Sequence, residues 1–321
     1  MAPRPATSVA PEVRPATAPT VRDLLATGHQ SFSFEFFPPK DDEGERVLWN
    51  SIGRLEGLRP TFVSVTYGAG GGTRDRTARV TRRIAAETTM TPVAHLTCVS
   101  ATRADIRRVV AEHVDGGVRN ILALRGDPPG GPGSPWTPTE GGFRYAVELV
   151  EFLRGLGDFS IGVAASPHQH VESESLEHDA RVLAAKVRAG ADYAITDMFF
   201  ETSSYLELVD RAARHGVDVP IVPGLMPLTN LGQIERFRLL AGAAVPQWLG
   251  DRLMVHRDDP AAFRAAGLEA ATALAAELLA AGAPGLHFYT LNRSTVTGEI
   301  HRALGLGPGR PVGSAPAGHR S

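Results

Sequence analysis

Eight short β-rich runs recur along the chain with helix-like stretches between them, and no other feature restricts the fold as strongly. The first four are SFSFEFF (Ser31–Phe37), TFVSVTYG (Thr61–Gly68), TPVAHLTC (Thr91–Cys98) and NILALRGD (Asn120–Asp127). SIGVAAS (Ser160–Ser166), YAITDMFF (Tyr193–Phe200), PIVPGLMP (Pro220–Pro227) and GLHFYTLN (Gly285–Asn292) complete the set. Strand–helix alternation repeated eight times is the pattern of a (β/α)8 TIM barrel, whose site forms at the C-terminal ends of its strands. Near those ends stand Glu35, Thr66, His95, Asp127, Ser166, Asp197, and Asn292 with Arg293. A polar side chain in an apolar strand is costly unless it is paired or used. This ring therefore predicts a site at one mouth.

The intervening segments carry helical periodicity. Glu43–Leu58 places Val47, Leu48, Ile52, Leu55 and Leu58 close to a 3.6-residue repeat. Thr77–Glu87, Ala104–Val114, Tyr145–Leu156, Ser175–Ala189, Tyr205–His215 and Leu231–Leu240 read the same way, several ending at a glycine such as Gly157, Gly190 or Gly216. An extra helix, Pro260–Ala281, opened by Asp258, Asp259 and Pro260, is expected before the last strand, and Ser294–Leu304 after it. One barrel is expected over 21–306, with Pro/Ala-rich disordered tails over 1–20 and 307–321.

A formal charge of −2 gives no electrostatic reason to expect nucleic acid or an anionic membrane as partner. No apolar stretch approaches the roughly 18 residues that span a bilayer. The single cysteine, Cys98, cannot form an intrachain disulfide, and the N-terminal tail lacks the apolar centre of a signal peptide, so a cytoplasmic protein is expected.

Four motifs suggest chemistry. In SFEFFPPK, Glu35 stands among Phe34, Phe36 and Phe37, and poor solvation there is expected to raise its pKa towards that of a neutral-pH proton donor. An ion-pair partner in the barrel mouth is the structural alternative. GAGGGTRDRT lacks both the dinucleotide and the Walker spacing, leaving an anion-binding turn or a flexible one. In LRGDPPGG, Asp127 is placed to accept paired hydrogen bonds from an amidine-like edge such as that of a pterin, or to pair with Arg125. Asp179 and Lys186 are two helical turns apart on one face, as a ligand-binding or merely solvated pair. His168, His170 and Glu172 have a metal-like spacing without a matching cluster elsewhere, so no metal is expected.

Taken in order, SFEFFPPK, FVSVTYGAGG, AHLTC, NILALRGDPP, KVRAGADYAIT, IVPGLMPLTN and LHFYTLNRS resemble the methylenetetrahydrofolate reductase family from Ser33 to about Leu306. The resemblance implies a barrel carrying FAD and reducing 5,10-methylenetetrahydrofolate to 5-methyltetrahydrofolate with NADH or NADPH, ping-pong. It further implies a cytoplasmic homo-oligomer serving one-carbon metabolism and methionine biosynthesis. By the same resemblance Glu35 is the general acid and Asp127 the aspartate set against pterin and flavin. Thr66, Tyr67, Ala69, His95, Arg125, Gly126, Asp127, Tyr145, Ala146, His170, Asp179 and Lys186 match cofactor-binding positions. Asp127, Asp197, Gln233, Phe237 and Arg293 match substrate-binding positions.

The chain departs from the family around the flavin. Ser166 stands where a tyrosine is usual, Val182 and Ala185 occupy positions that are polar in some members, and Asp197 replaces a glutamine. The departures imply weaker FAD binding. They leave open a divergent paralogue with little or no flavin, passing hydride directly from NAD(P)H to folate or reducing another cyclic amine or imine. A silent folate-binding protein is the alternative outside catalysis.

Overall fold

The computed structural model describes residues 19–67, 74–128, 130, 134–241, 245–307 and 311–312. Eight parallel strands close into a barrel in sequence order, as the alternation requires. They are β1 (Ser31–Phe36), β2 (Phe62–Val65), β3 (Pro92–Thr97), β4 (Asn120–Leu124), β5 (Ser160–Ala165), β6 (Tyr193–Met198), β7 (Ile221–Leu225) and β8 (Gly285–Tyr289). A short α1 (Val21–Leu25) precedes them. The crossovers contain α2 (Asp42–Glu56), α3 (Arg74–Glu87), α4 (Arg103–Asp115), α5 (Ala146–Leu156), α6 (Leu176–Arg188) and α7 (Thr202–Arg214). Between β7 and β8 lie α8 (Leu231–Ala241), α9 (Gln247–Met254) and α10 (Pro260–Ala280), and α11 (Thr295–Ala303) follows β8.

Strand alternation sorts the side chains into two cores. On β1, Phe32, Phe34 and Phe36 pack outward with Leu48, Ile52 and Leu55 of α2, while Ser33 and Glu35 take the alternate, inward positions. Inside, Phe62, Val93, Leu122, Tyr193, Ile195 and Val222 fill the lower barrel together with Val21 and Leu25.

α1 is thus a plug, and it was not expected from the sequence. Thr20 and Asp23 form a reciprocal capping box that starts it directly beside the Pro/Ala-rich stretch. Its first N–H groups are taken up by the barrel: Val21 N donates to Asn120 Oδ1 at 2.9 Å and Arg22 N to Ser160 Oγ at 2.9 Å. Asn120 and Ser160 open β4 and β5, so α1 closes the N-terminal end and leaves the opposite mouth for ligands.

α9 was also not expected; it begins after Pro246 in the long connection. Most of the two tails lies outside the described residues, as does 68–73 with Ala69. Pro311 forms an antiparallel bridge with His29, and Val312 N donates to Gly28 O at 3.0 Å.

Candidate active site at the C-terminal mouth

Glu35 is 5% exposed and is flanked in register by Ser64 on β2 and Tyr289 on β8. One of its oxygens, Oε2, faces Ser64 Oγ at 3.3 Å, His95 Nε2 at 3.3 Å and His287 Nε2 at 3.4 Å. The expected aromatic surroundings are not there. Phe34 and Phe36 point to the outer core because neighbouring strand residues face opposite ways. Burial pushes the Glu35 carboxyl upward, but the charge of His95, 3.3 Å away, and the hydrogen bond and charge of His287 outweigh it and bring the pKa down to about 2. The expectation of a raised pKa is corrected: the carboxylate is held ionised by imidazoles on two other strands.

Tyr289 stands beside this cluster, and its hydroxyl donates to Thr196 O at 2.7 Å. Burial first, then the charges of Glu35 and Asp197, raise its pKa well above the ordinary value. Gly224 on β7 makes room for the ring, since a Cβ there would lie 2.3 Å from Thr196 O and 2.7 Å from the tyrosine.

Across the mouth, Asp197 accepts a 2.7 Å hydrogen bond from Ser166 Oγ. Its surface is open to the mouth, yet protein surrounds it at longer range. This poor hydration raises its pKa, with Asp127 adding in the same direction, against the opposing Ser166 bond and the charges of Lys186 and His170. Two of the four positions read as departures in the sequence, Ser166 and Asp197, thus bond to each other. Asp127 is exposed at the end of β4.

The other positions expected to touch a cofactor lie after the ends of β2, β4 and β5, at the start of α5 and on α6. Lys186 Nζ donates to Ala164 O at 2.9 Å, and Asp179 Oδ2 accepts from His170 N at 3.0 Å. Desolvation lowers the Lys186 pKa, while Asp197 and Asp179 oppose that. Arg125 bonds Glu172 rather than Asp127, with Nη2 3.0 Å from Oε1, and its guanidinium lies 4.9 Å from the Trp136 ring centroid. Gly126 has φ +83°, and a Cβ would meet Val99 Cγ1 at 2.7 Å. Thr66 is buried beside half-buried Tyr67, and Tyr145, the N-cap of α5 ahead of buried Ala146, is exposed. His170 Nδ1 accepts from Glu172 N, so the histidine–glutamate run orders its own loop.

The substrate positions divide. Arg293 is exposed on the loop after β8, and its guanidinium makes no ion pair among the described residues. Gln233 Oε1 accepts from Thr229 Oγ1 at 3.0 Å and Asn230 N at 3.2 Å, which caps its own helix. Phe237 is fully buried against Phe200, at 4.6 Å between centroids, within the satellite core of α8–α10. The cluster that holds Phe237 also packs against Met198 and Tyr289.

Ser33, Ser64, His287 and Tyr289 belong to the site and escape a reading confined to strand ends. Their signal is period two: Ser33 precedes Glu35, Ser64 precedes Thr66 and His287 precedes Tyr289 by two residues each, so these side chains share the interior.

The methylenetetrahydrofolate reductase family model matches residues 20–305. The 5,10-methylenetetrahydrofolate reductases of Salmonella typhimurium and Escherichia coli are each 41% identical over 282 residues, covering 88% of this chain and 93% of theirs. Among solved structures, a Clostridium thermocellum protein that binds two copies of 5-methyl-5,6,7,8-tetrahydrofolic acid aligns with TM-score 0.61 at 14% identity, covering 88% of this chain and 97% of that one. That likeness is one of fold. The sequence matches and the site's location in the barrel together place this chain in the methylenetetrahydrofolate reductase family.

Proposed function

We propose that the protein reduces 5,10-methylenetetrahydrofolate to 5-methyltetrahydrofolate with NADH or NADPH through bound FAD, in the cytoplasm. The observation that carries this reading is the buried Glu35 carboxylate, held from three strands at the base of an open mouth. A pure binding protein has no use for so costly an arrangement. A proton donor has one.

The chain's polar groups fit a flavin nucleotide. Among the described residues Thr97 Oγ1 is buried without a partner, and His95 Nε2 lies near Glu35 without hydrogen-bond alignment, so both retain capacity at the mouth end of β3. Thr66, Tyr67, His95, Arg125, Gly126, Asp127, Tyr145, Ala146, His170, Asp179 and Lys186 would hold FAD. Ser166 in place of an aromatic surface makes that hold weaker than in relatives. When bound, FAD supplies the hydride relay between nicotinamide and folate.

The protein's own contribution is orientation and one proton. Asp127 accepts from the donor edge of the pterin, and Arg293, exposed and without an ion pair among the described residues, suits the anionic tail of the folate. Asp197 adds a second acceptor where a glutamine could also donate. Glu35 protonates the ring nitrogen that leaves as the imidazolidine opens to the N5 methylene-iminium, the hydride acceptor.

The test is Glu35→Gln. Reduction of methylenetetrahydrofolate should fall about 10²–10⁴-fold while reduction of a quinone by NAD(P)H stays within about twofold, since only the folate half needs the proton. Equal losses in both halves would sink the assignment. An absorbance spectrum before and after adding FAD tests the flavin; protein that stays colourless in excess FAD yet reduces folate would establish direct hydride transfer instead.

A further inference from the structure

The proton chemistry just proposed lacks one part. Glu35 must deliver a proton, yet it is held as the carboxylate. The three contacts all fall on Oε2, and Oε1 has no hydrogen-bond partner among the described residues. Of the two imidazoles, His95 is not aligned for a hydrogen bond, whereas His287 is.

His287 is also fixed on every side. Its Nδ1 is 2.8 Å from Ser33 Oγ, which itself lies 3.3 Å from the Leu286 carbonyl. Its ring stacks on Phe62 at 5.8 Å and 17° and meets Tyr289 edge-on at 5.4 Å. With Ser33 Oγ donating to Leu286 O, that oxygen accepts from Nδ1–H. The second ring nitrogen then faces the carboxylate, where a shared proton leaves the pair neutral overall.

We propose that His287 holds the proton of Glu35 jointly with it and returns that proton to the carboxyl for delivery to the substrate. His287 is thus a positioning residue acting through Glu35, with Ser33 as its anchor. The proton moves from Nε2 to Oε2, and a half-turn of the carboxyl brings it to the open side. It passes to the substrate nitrogen as the C–N bond breaks and the bonding pair stays on nitrogen. Carboxylate and neutral imidazole remain, one proton short, and recover it from solvent through the mouth. The groups facing the pair are Ser33 on β1, Ser64 on β2, His95 on β3 and Tyr289 on β8, with Phe62 of β2 stacked on the imidazole.

The inference rests on the reading of the chain as a folate reductase. Its test compares the pH dependence of methylenetetrahydrofolate reduction in wild type and His287→Gln. A shared proton persists to higher pH than one the carboxyl holds alone. The limb along which activity falls with rising pH should therefore move down by about one pH unit in the variant, with about a tenfold loss at pH 7.5. Unmoved limbs would overturn the proposal, because a purely structural role scales the rate at every pH. NAD(P)H–quinone activity checks folding, and Ser33→Ala, expected to shift the limb in the same direction, serves if the His287 variant is insoluble. Independently of turnover, ¹⁵N NMR of the His287 ring at pH 7 should show both ring nitrogens carrying a proton in wild type and only one in Glu35→Gln; identical spectra would also overturn it. Wild-type protein that does not reduce the folate at all would sink the functional reading, while the NMR result would still decide the pair.

Discussion

A carboxyl as buried as Glu35 would ordinarily keep its proton, and two imidazoles reverse that order. Because its folded pKa lies below its ordinary 4.5, it contributes stability that is complete above that pH and is lost as the pH falls through about 2. Glu35→Gln should therefore be less stable than wild type at pH 7, with the gap closing between pH 4.5 and 2 in thermal melts; a constant gap would deny the coupling. Asp197 has the opposite sign. Its folded pKa is raised above the ordinary 3.8, so the folded state carries an unfavourable charge as the pH rises through it. Asp197→Asn should melt higher than wild type at pH 7, and the two should converge below about pH 3.8. Asp197→Gln should flatten the pH dependence of folate affinity, measured by titration calorimetry, since one of two facing carboxylates is gone.

The segment after β8 shows how an element is held at an angle that its residues resist. Leu291 and Asn292 have φ of 50° and 58°, in the left-handed region. Asn292 compensates by bonding Phe37 twice: it accepts from Phe37 N at 2.8 Å and donates to Phe37 O at 2.9 Å. Thr290 Oγ1 donates to Glu35 O at 2.6 Å and Ser51 Oγ to Asn292 O at 2.6 Å. The turn that presents Arg293 is thereby fastened to the strand that carries Glu35. Asn292→Ala loses two bonds and keeps the strained angle, for about 3 kcal/mol, whereas Asn292→Gly relieves the angle and should cost about 2 kcal/mol. Urea denaturation would resolve the order, and equal costs would show that the angle carries no strain.

At the scale of the whole molecule the barrel has one closed end and one open end, and α1 makes the difference. Val21 and Leu25 bury their side chains beneath Phe62, Leu122 and Tyr193. Truncation through Leu25 should lower stability by about 3–6 kcal/mol, the transfer of two aliphatic side chains to water, in equilibrium denaturation. A barrel of unchanged stability would show that α1 is a decoration. Tyr193 itself needs Gly162, where a Cβ would lie 2.5 Å from its ring.

Architecture was legible because it is repeated: eight apolar runs at regular separation admit few closed folds, and their order around the barrel is their order in the chain. The ring of strand-end residues was legible for the same reason, and with it Glu35, Asp127 and Asp197. What the sequence could not supply is which side chains meet across strands. Glu35 acquires its ionisation from His95, 60 positions on, and from His287, 252 positions on, through barrel closure between β1 and β8. The local reading of Glu35 failed because its neighbours in sequence, Phe34 and Phe36, are on the far side of the sheet. Sequence determined the fold and the end of it where polar strand-end residues gather; tertiary structure alone decided the ionisation of Glu35, because electrostatic energy depends on distances that only closure of the barrel sets.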